Sequence, residues 1–272
     1  MKNLIFCGLI CSLCFGLAGC AAQDVEIIAH RGASHLAPEN TVASVMLGWQ
    51  KNADVEIDVY LTRDNRIVVI HDKTTKRTAG LELKVSETTA KELRQLDVGK
   101  HKGLEFAGEQ IPFLEEVIKT IPPKRKLYVE IKCGSEILPF LQPMIEKSGK
   151  MSQIVIIGFN LKTVTDAKKL MPQIPVYWLK GTGKNKETDE YIPHSPKLIQ
   201  IARENGLDGL DVHYKGVTRE FAKAVRAAGL GLYIWTVNEP EEAIRLIKLK
   251  VDGLTTDRPE WLRKHLQFEV GL

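Results

Sequence analysis

Short apolar runs rich in β-branched residues recur along the chain, and amphipathic segments separate them. Eight of these runs are typical of buried strands, at residues 26–30, 54–58, 126–131, 154–158, 175–179, 209–213, 232–236 and 253–256. Helix-like periodicity falls at residues 39–50, 163–170, 195–205, 218–228 and 240–249. Strands that alternate with helices predict a parallel sheet with helices packed against it.

Eight strands predict a (β/α)₈ TIM barrel, which needs roughly 250 residues. A doubly wound open sheet is the alternative, but the chain contains no glycine-rich dinucleotide loop that would favour it. A barrel places its chemistry where the strands end. Charged and polar residues collect at these positions, at His30-Arg31, Glu130, Lys132 and Trp235.

The stretch from residue 54 to 72 carries the strongest polar signal inside an apolar run. Glu56 and Asp58 are two residues apart, so a strand directs both to the same face. Buried carboxylates are rare unless they are paired or bind a metal. The pattern therefore predicts either a functional site or a structural ion pair.

A second apolar run, residues 67–71, follows too closely for a parallel crossover and predicts the return arm of a hairpin. With Asp64-Asn65 as a two-residue loop, Asp58 pairs with His71. A shift of one residue in this register would move His71 to the opposite face.

The N-terminal segment, residues 1–19, is apolar with one early positive charge and is typical of a secretory signal. Its end, Leu17-Ala18-Gly19-Cys20, resembles a bacterial lipoprotein box, which implies cleavage before Cys20 and lipid on its sulfur. A short membrane anchor is the alternative, although the apolar run is too short to span a bilayer comfortably. We expect an exported protein, anchored to a membrane through Cys20, with residues 20–272 as one domain.

Composition adds two restrictions. After the predicted cleavage only Cys20 and Cys133 remain of five cysteines, so a lipidated Cys20 leaves no disulfide. The formal net charge of +4 is far from a nucleic-acid-binding signature. We therefore expect no nucleic-acid partner, and the sequence leaves the oligomeric state open.

Motifs spread over nearly the whole chain resemble the glycerophosphodiester phosphodiesterase family, in the family's order. They are His30-Arg31-Gly32, Pro38-Glu39-Asn40-Thr41, Glu56-Ile57-Asp58-Val59, Val69-Ile70-His71-Asp72, Ile111-Pro112-Phe113-Leu114-Glu115-Glu116, Glu130-Ile131-Lys132, Trp235-Thr236-Val237-Asn238 and Thr256-Asp257-Arg258-Pro259. The resemblance implies a TIM barrel with a small insertion after the His-Asp pair, at about residues 73–110.

The resemblance also implies a metal site made of Glu56, Asp58 and Glu130. Three carboxylates suit one hard divalent ion, Mg²⁺ or Ca²⁺, better than zinc, which favours Cys and His. Arg31 and Lys132 match the family's phosphate-binding residues, although Lys132 and Glu130 could instead form only an ion pair.

His30 and His71 match the family's catalytic pair, and imidazole exchanges protons near neutral pH. Which of them is the acid and which the base stays open. Trp235 either packs against the glycerol carbons of a bound substrate or fills the mouth of the barrel.

The function implied is metal-dependent hydrolysis of small glycerophosphodiesters to sn-glycerol 3-phosphate and an alcohol. Attack by water and attack by the substrate's own hydroxyl through a cyclic phosphate both fit. Two alternatives remain: a related phosphodiesterase that acts on a phospholipid or a glycerophosphate polymer, and a non-catalytic surface binding lipoprotein.

Overall fold

A computed structural model of the protein describes residues 25–270. The predicted signal segment and Cys20 lie outside the described residues. The strands are β1 (Glu26–Ala29), β2 (Asp54–Leu61), β3 (Ile67–Val69), β4 (Leu127–Ile131), β5 (Ile154–Gly158), β6 (Val176–Lys180), β7 (Gly209–His213), β8 (Gly231–Trp235) and β9 (Gly253–Thr256).

Eight of these strands form a closed parallel barrel. The order around it is β1-β9-β8-β7-β6-β5-β4-β2, and β1 pairs with β2 to close the ring. The ninth strand, β3, is antiparallel to β2 and hangs on the outside of the ring. The predicted (β/α)₈ barrel is confirmed, and so is the role of residues 67–71 as a hairpin return rather than a barrel strand.

The helices follow the strands as the barrel requires. They are α1 (Val42–Gln50), α2 (Lys76–Ala79), α3 (Ala90–Leu93), α4 (Leu114–Thr120), α5 (Leu138–Ser148), α6 (Leu161–Leu170), α7 (Lys197–Glu204), α8 (Arg219–Ala227), α9 (Pro240–Lys248) and α10 (Pro259–Val270). Short 3₁₀ turns lie at Val85–Glu87, Leu104–Phe106, Ser135–Ile137, Met151–Gln153 and Tyr214–Gly216. Within the described part of the chain, no helix is both long and apolar enough to cross a membrane.

Side chains alternate between the two faces of each strand, which produces one apolar core outside the barrel and a second inside it. Outward side chains such as Val55 and Ile57 pack against the helices in one large cluster. Inward side chains such as Ile157, Leu179 and Tyr233 fill the barrel and support the site above them. In β2 this alternation turns Glu56 and Asp58 into the barrel, because their neighbours all face the helices.

The predicted hairpin register is wrong by one residue. Leu61 pairs with Ile67, and the N–H of Thr62 donates to the carbonyl of Arg66, so the loop is residues 63–65 rather than two residues. Asn65 takes a positive φ of 59° to close it. The backbone N–H of Ile70, not of His71, donates to the carbonyl of Asp58. Because β3 ends at Val69, His71 is free of the strand alternation and still turns toward the site.

Residues 70 to 113 form a small unit beside the barrel mouth that contains α2 and α3. A separate apolar cluster holds this unit to β3, and its members include Val68, Ile70, Leu93 and Ile111. Thr89 caps α3 through a capping box with Glu92, which explains how a four-residue helix persists. The unit thereby brings α2 to the edge of the site.

Candidate active site

A cavity of about 160 Å³ opens at the carboxyl ends of the barrel strands. Seven of the eight site residues predicted from the sequence line it, and the eighth, Asp58, is fully buried against it. The remaining lining residues are Ile157, Phe159, Leu179, Asp211, Thr236 and Thr255. The structure thus brings the predicted residues together, while their roles stay predictions.

Three carboxylates meet on the wall formed by β2 and β4. Asp58 pairs in register with Glu130, and Glu56 shares the inward face of β2. One oxygen from each of Glu56, Asp58 and Glu130 lies within 4.8 Å of the others. All three side chains are buried, which brings like charges together away from water.

This clustering shifts the protonation of the three carboxylates. Burial and the neighbouring carboxylate of Asp58 raise the pKa of Glu56 well above its usual range and that of Glu130 to about 7. Burial also acts against the charge of Asp58, but the cations of Lys132 and Arg31 outweigh it and lower the pKa of this carboxyl. Without additional positive charge, the three groups therefore do not all ionise at neutral pH.

The donor set fits a hard divalent cation. It offers oxygen ligands alone, and Glu56 Oε1 is a buried atom without a hydrogen-bond partner among the described residues. A bound cation would compensate the charges that the clustered carboxylates otherwise suppress. Glu56, Asp58 and Glu130 therefore form a credible metal site, although nothing in the geometry selects the ion.

The loop after β1 is shaped by two residues with positive φ. Arg31 has φ 55° and Gly32 has φ 77°, and a Cβ on Gly32 would lie 2.5 Å from the backbone of Ser44. For arginine this conformation costs roughly 1–2 kcal/mol. It points the N–H of Arg31 at Glu56 Oε2, 2.8 Å away, so the backbone conformation serves the site.

Two cations stand beside the carboxylates and face the cavity. Lys132 Nζ lies 2.8 Å from Glu130 Oε1 and 3.4 Å from Asp58 Oδ1, so the ion pair considered from the sequence does form. Arg31 Nε lies 3.5 Å from Asp58 Oδ2. Because both side chains also line the cavity, they can accept an anion in addition to their carboxylate partners.

Both histidines are oriented in the same way. His30 Nδ1 lies 2.7 Å from Asp257 Oδ1, and His71 Nδ1 lies 2.7 Å from Asp72 Oδ1. Burial opposes ionisation of these two carboxyls, but hydrogen bonds, including those with the histidines, lower the pKa of each below its usual range. An ionised carboxylate takes the N–H of Nδ1, which leaves Nε2 of each ring to exchange a proton with a ligand.

Several residues that support the site were given no site role from the sequence. Asn40 holds Asp58 from both sides: its Nδ2 donates to Asp58 Oδ2 at 2.8 Å, and its Oδ1 accepts from the N–H of Asp58 at 3.1 Å. Asp257, which the sequence places only within a motif, orients His30 and accepts from Asn238 Nδ2 at 2.6 Å. Both residues lie in motifs that the sequence reveals. Their supporting roles were missed because the contacts join separate parts of the chain.

The wall opposite the carboxylates is mostly apolar. Trp235 lies edge-on to Phe159, with 5.6 Å between ring centroids, and its Nε1 donates to the backbone carbonyl of Asp211. Phe159 is 46% exposed and marks the cavity mouth. Trp235 thus lines the cavity and also closes the mouth, so its two predicted roles are compatible.

Comparisons with known proteins agree with this arrangement. The model of the Glycerophosphoryl diester phosphodiesterase family matches residues 30–261. A glycerophosphodiester phosphodiesterase of Caldanaerobacter subterraneus is 35% identical over 242 residues, covering 87% of this chain and 95% of the relative. A human lysophospholipase D is 26% identical over 272 residues, covering 88% of this chain and 85% of that protein.

The fold agrees as well. The solved structure of an Oleispira antarctica phosphodiesterase, in complex with the product sn-glycerol-3-phosphate, superposes with a TM-score of 0.81 at 28% identity. The match covers 89% of this chain and 96% of that one. A family match over most of the chain and a relative above 30% identity agree with the motifs and the barrel. The chain belongs to the glycerophosphoryl diester phosphodiesterase family.

Proposed function

We propose that this protein hydrolyses glycerophosphodiesters to sn-glycerol 3-phosphate and an alcohol. The observation that supports it most is the pair of histidines, each fixed through Nδ1 to a carboxylate, in one cavity with two cations and three clustered carboxylates. The named product in the Oleispira antarctica structure supports the same substrate class. A cavity of about 160 Å³ is small beside the roughly 300–1,000 Å³ of drug-sized sites. This size suits a glycerophosphate whose alcohol extends into the mouth.

Each residue has a chemical task in this proposal. Arg31 and Lys132 bind the phosphate oxygens, so the negative charge of the diester is compensated before attack. One histidine takes the proton of the attacking hydroxyl at Nε2, and the other gives its proton to the departing alcohol oxygen as the phosphorus–oxygen bond breaks. Water is one suitable nucleophile and gives sn-glycerol 3-phosphate directly. The substrate's own hydroxyl is the other; it expels the alcohol and forms a cyclic phosphate, which water must then open to give sn-glycerol 3-phosphate.

Glu56, Asp58 and Glu130 would hold one divalent ion, Mg²⁺ or Ca²⁺. When bound there, such an ion supplies positive charge that polarises the phosphoryl group. Asn40 and the backbone of Arg31 keep the carboxylates in place through the hydrogen bonds described above. The residues therefore prepare the site before any substrate arrives.

The direct test measures sn-glycerol 3-phosphate released by the purified protein from glycerophosphocholine, glycerophosphoethanolamine and glycerophosphoglycerol. Each diester is incubated with Mg²⁺, with Ca²⁺ and with EDTA. We expect turnover that requires a divalent ion. Absence of metal-dependent product from every diester would refute the proposal.

A related substrate class is the second candidate. The aromatic mouth, with Phe159 46% exposed and stacked edge-on with Trp235, favours an alcohol that has an apolar portion. The name of the human relative, a lysophospholipase D, supports the same possibility. Including lysophospholipids in the assay, with Phe159→Ala as a variant, separates the two classes by their kcat/KM values.

We also propose that the protein is exported and anchored through a lipid on Cys20. Support comes from the sequence of residues 1–20 alone. Labelling with radioactive palmitate and membrane fractionation of the full chain test this proposal. The wild type should carry label and sediment with membranes, whereas Cys20→Ser should do neither.

A further inference from the structure

Asp211 is a buried acidic residue on the apolar wall of the cavity, opposite the three clustered carboxylates. It lies on the inward face of β7, because its neighbours Leu210 and Val212 belong to the outer core against the helices. Its register neighbours are Leu179 on β6 and Tyr233 on β8. Its side chain is 2% exposed and lines the cavity.

Within residues 25–270, the carboxyl group of Asp211 has no hydrogen-bond or ion-pair partner. Its Oδ1 is a buried atom without a hydrogen bond, and among residues 25–270 no cationic side chain forms an ion pair with this group. Burying such a group without a partner is unfavourable, so most buried polar groups are satisfied. Asp211 is an exception that faces a cavity, so we infer that an atom of a bound ligand is its hydrogen-bond partner.

The surroundings limit what that partner can be. The metal-type cluster consists of Glu56, Asp58 and Glu130 and does not include Asp211. Arg31 and Lys132, the cations proposed to bind the phosphate, pair with members of that cluster. No cation of the described residues acts on Asp211, whose pKa burial and the charge of Glu130 raise well above its usual range, so this wall does not attract a phosphate. On the wall between Leu179 and Trp235, a polar but uncharged group is the fitting neighbour, and a hydroxyl both donates and accepts.

We propose that Asp211 binds a hydroxyl of the glycerol moiety and selects substrates that carry one. The inference rests on the proposed function: with the phosphate between Arg31 and Lys132, the rest of a glycerophosphate must extend along the cavity wall. The alkyl carbons then contact Leu179 and Trp235, and the hydroxyl satisfies Asp211. An analogue without that hydroxyl leaves the buried carboxyl unpaired, which is how a buried polar group discriminates between ligands.

Product binding tests the inference without relying on turnover. Isothermal titration calorimetry compares sn-glycerol 3-phosphate with n-propyl phosphate, which has the same carbon chain and no hydroxyls. The wild type should bind the glycerol compound about 10- to 100-fold more tightly, because the analogue leaves the buried carboxyl group without a hydrogen bond. Asp211→Leu should reduce that ratio to within about threefold of unity, and Asp211→Asn should retain part of it.

Kinetics and stability supply independent readouts. Asp211→Leu should lower kcat/KM for glycerophosphocholine by about 10- to 100-fold and lower that for bis(4-nitrophenyl) phosphate, which lacks hydroxyls, by a clearly smaller factor. Asp211→Leu should raise Tm, because it replaces an unpaired buried carboxyl group with an apolar side chain. Asp208→Asn is the matched control: it lies at the opposite end of β7, where its carboxylate accepts from Val176 N and Lys168, and it should lower Tm without changing the ligand ratio.

The outcomes distinguish a failure of the inference about Asp211 from a failure of the proposed function. If the wild type turns over glycerophosphodiesters but Asp211→Leu keeps the preference for the glycerol compound, the inference fails and the proposed function stands. If the wild type hydrolyses no diester, the proposed function fails, and the binding ratio still decides the hydroxyl site. Loss of a stoichiometric divalent ion in Asp211→Asn, measured by metal analysis, would mean that Asp211 binds a cation and would also overturn the inference.

Discussion

Arg77 and Glu39 form a two-pronged ion pair, with 2.7 Å between Nη1 and Oε2 and 2.8 Å between Nη2 and Oε1. Glu39 Oε1 also accepts from Arg31 Nη1 at 3.0 Å, and Arg77 Nε donates to Asp72 Oδ2 at 2.6 Å. Asp72 in turn holds His71. One side chain on α2 is therefore connected to Arg31, the proposed phosphate-binding residue, and to His71.

Replacing Arg77 should impair the reaction although Arg77 does not line the cavity. Arg77→Met leaves Glu39 and Asp72 without their shared partner, so Arg31 and His71 lose their fixed orientation. Steady-state assays should show kcat/KM for glycerophosphocholine lower by about 10- to 100-fold, the usual cost of losing a supporting partner. Arg77→Lys should recover only part of the loss, because an ammonium group cannot form the two-pronged pair.

Lys76 provides the matched control for this prediction. It is the preceding residue on α2, and its exposed side chain pairs with Glu82 rather than with Glu39 or Asp72. Lys76→Met removes an equivalent charge and should leave kcat/KM unchanged. Equal kinetics for Arg77→Met and the wild type would show that the link through α2 has no part in catalysis.

Removing either histidine should abolish turnover and preserve ligand binding. In His30→Ala or His71→Ala, no imidazole Nε2 is left to take or give one of the two protons, and this costs about 10²- to 10⁴-fold in kcat. Calorimetry with sn-glycerol 3-phosphate should give nearly unchanged affinity, since Arg31 and Lys132 remain. His265→Ala, an exposed histidine on α10, is the control. A binding protein without catalysis would have no turnover in any of these forms.

Divalent ions should stabilise the protein through the carboxylate cluster. A ligand that binds only the folded state adds about 2.7 kcal/mol to the free energy of unfolding at 100 times its Kd. Thermal melts of EDTA-treated protein should therefore shift upward on addition of Mg²⁺ or Ca²⁺, and Glu56→Gln should remove the shift. Glu82→Gln, a substitution at an exposed residue, is the control and should keep the upward shift of Tm. An unchanged shift in Glu56→Gln would disprove the assigned metal site.

The sequence was sufficient for the barrel because the signal is local. Each buried strand is a short apolar run, and three of them, including Ile154–Gly158, coincide with the predicted bounds. Three barrel helices were missed, α4, α5 and the last helix, α10, and for the first two the reason is local. Helix α4, Leu114–Thr120, is too short to show a clear period, and α5 contains Pro143, which is unusual inside a helix.

The site was predictable to the extent that its residues lie in recognisable motifs. The register of the hairpin was not, because an Asn at positive φ allows a third loop residue that spacing alone does not reveal. Asp211 was likewise predictable only in part. Its inward position follows from the alternation in β7, but the absence of a partner depends on side chains from other strands, which only the folded chain brings together.

Asp257 should make the stability of the protein depend on pH in the acid range. Burial opposes its ionisation, but the hydrogen bonds from His30, Asn238 and Ser34 hold its pKa below the usual range when the chain is folded. A carboxyl whose folded pKa is depressed contributes stability that is fully present above its unfolded pKa, about 3.9, and is lost as the pH falls toward the folded value. The difference in unfolding free energy between wild type and Asp257→Asn should thus be largest near pH 7 and shrink below about pH 5. Urea unfolding at steps from pH 7 to pH 3 measures it, with the exposed Asp189→Asn as control. A difference that stays constant with pH would contradict the hydrogen bonding that lowers the pKa of Asp257.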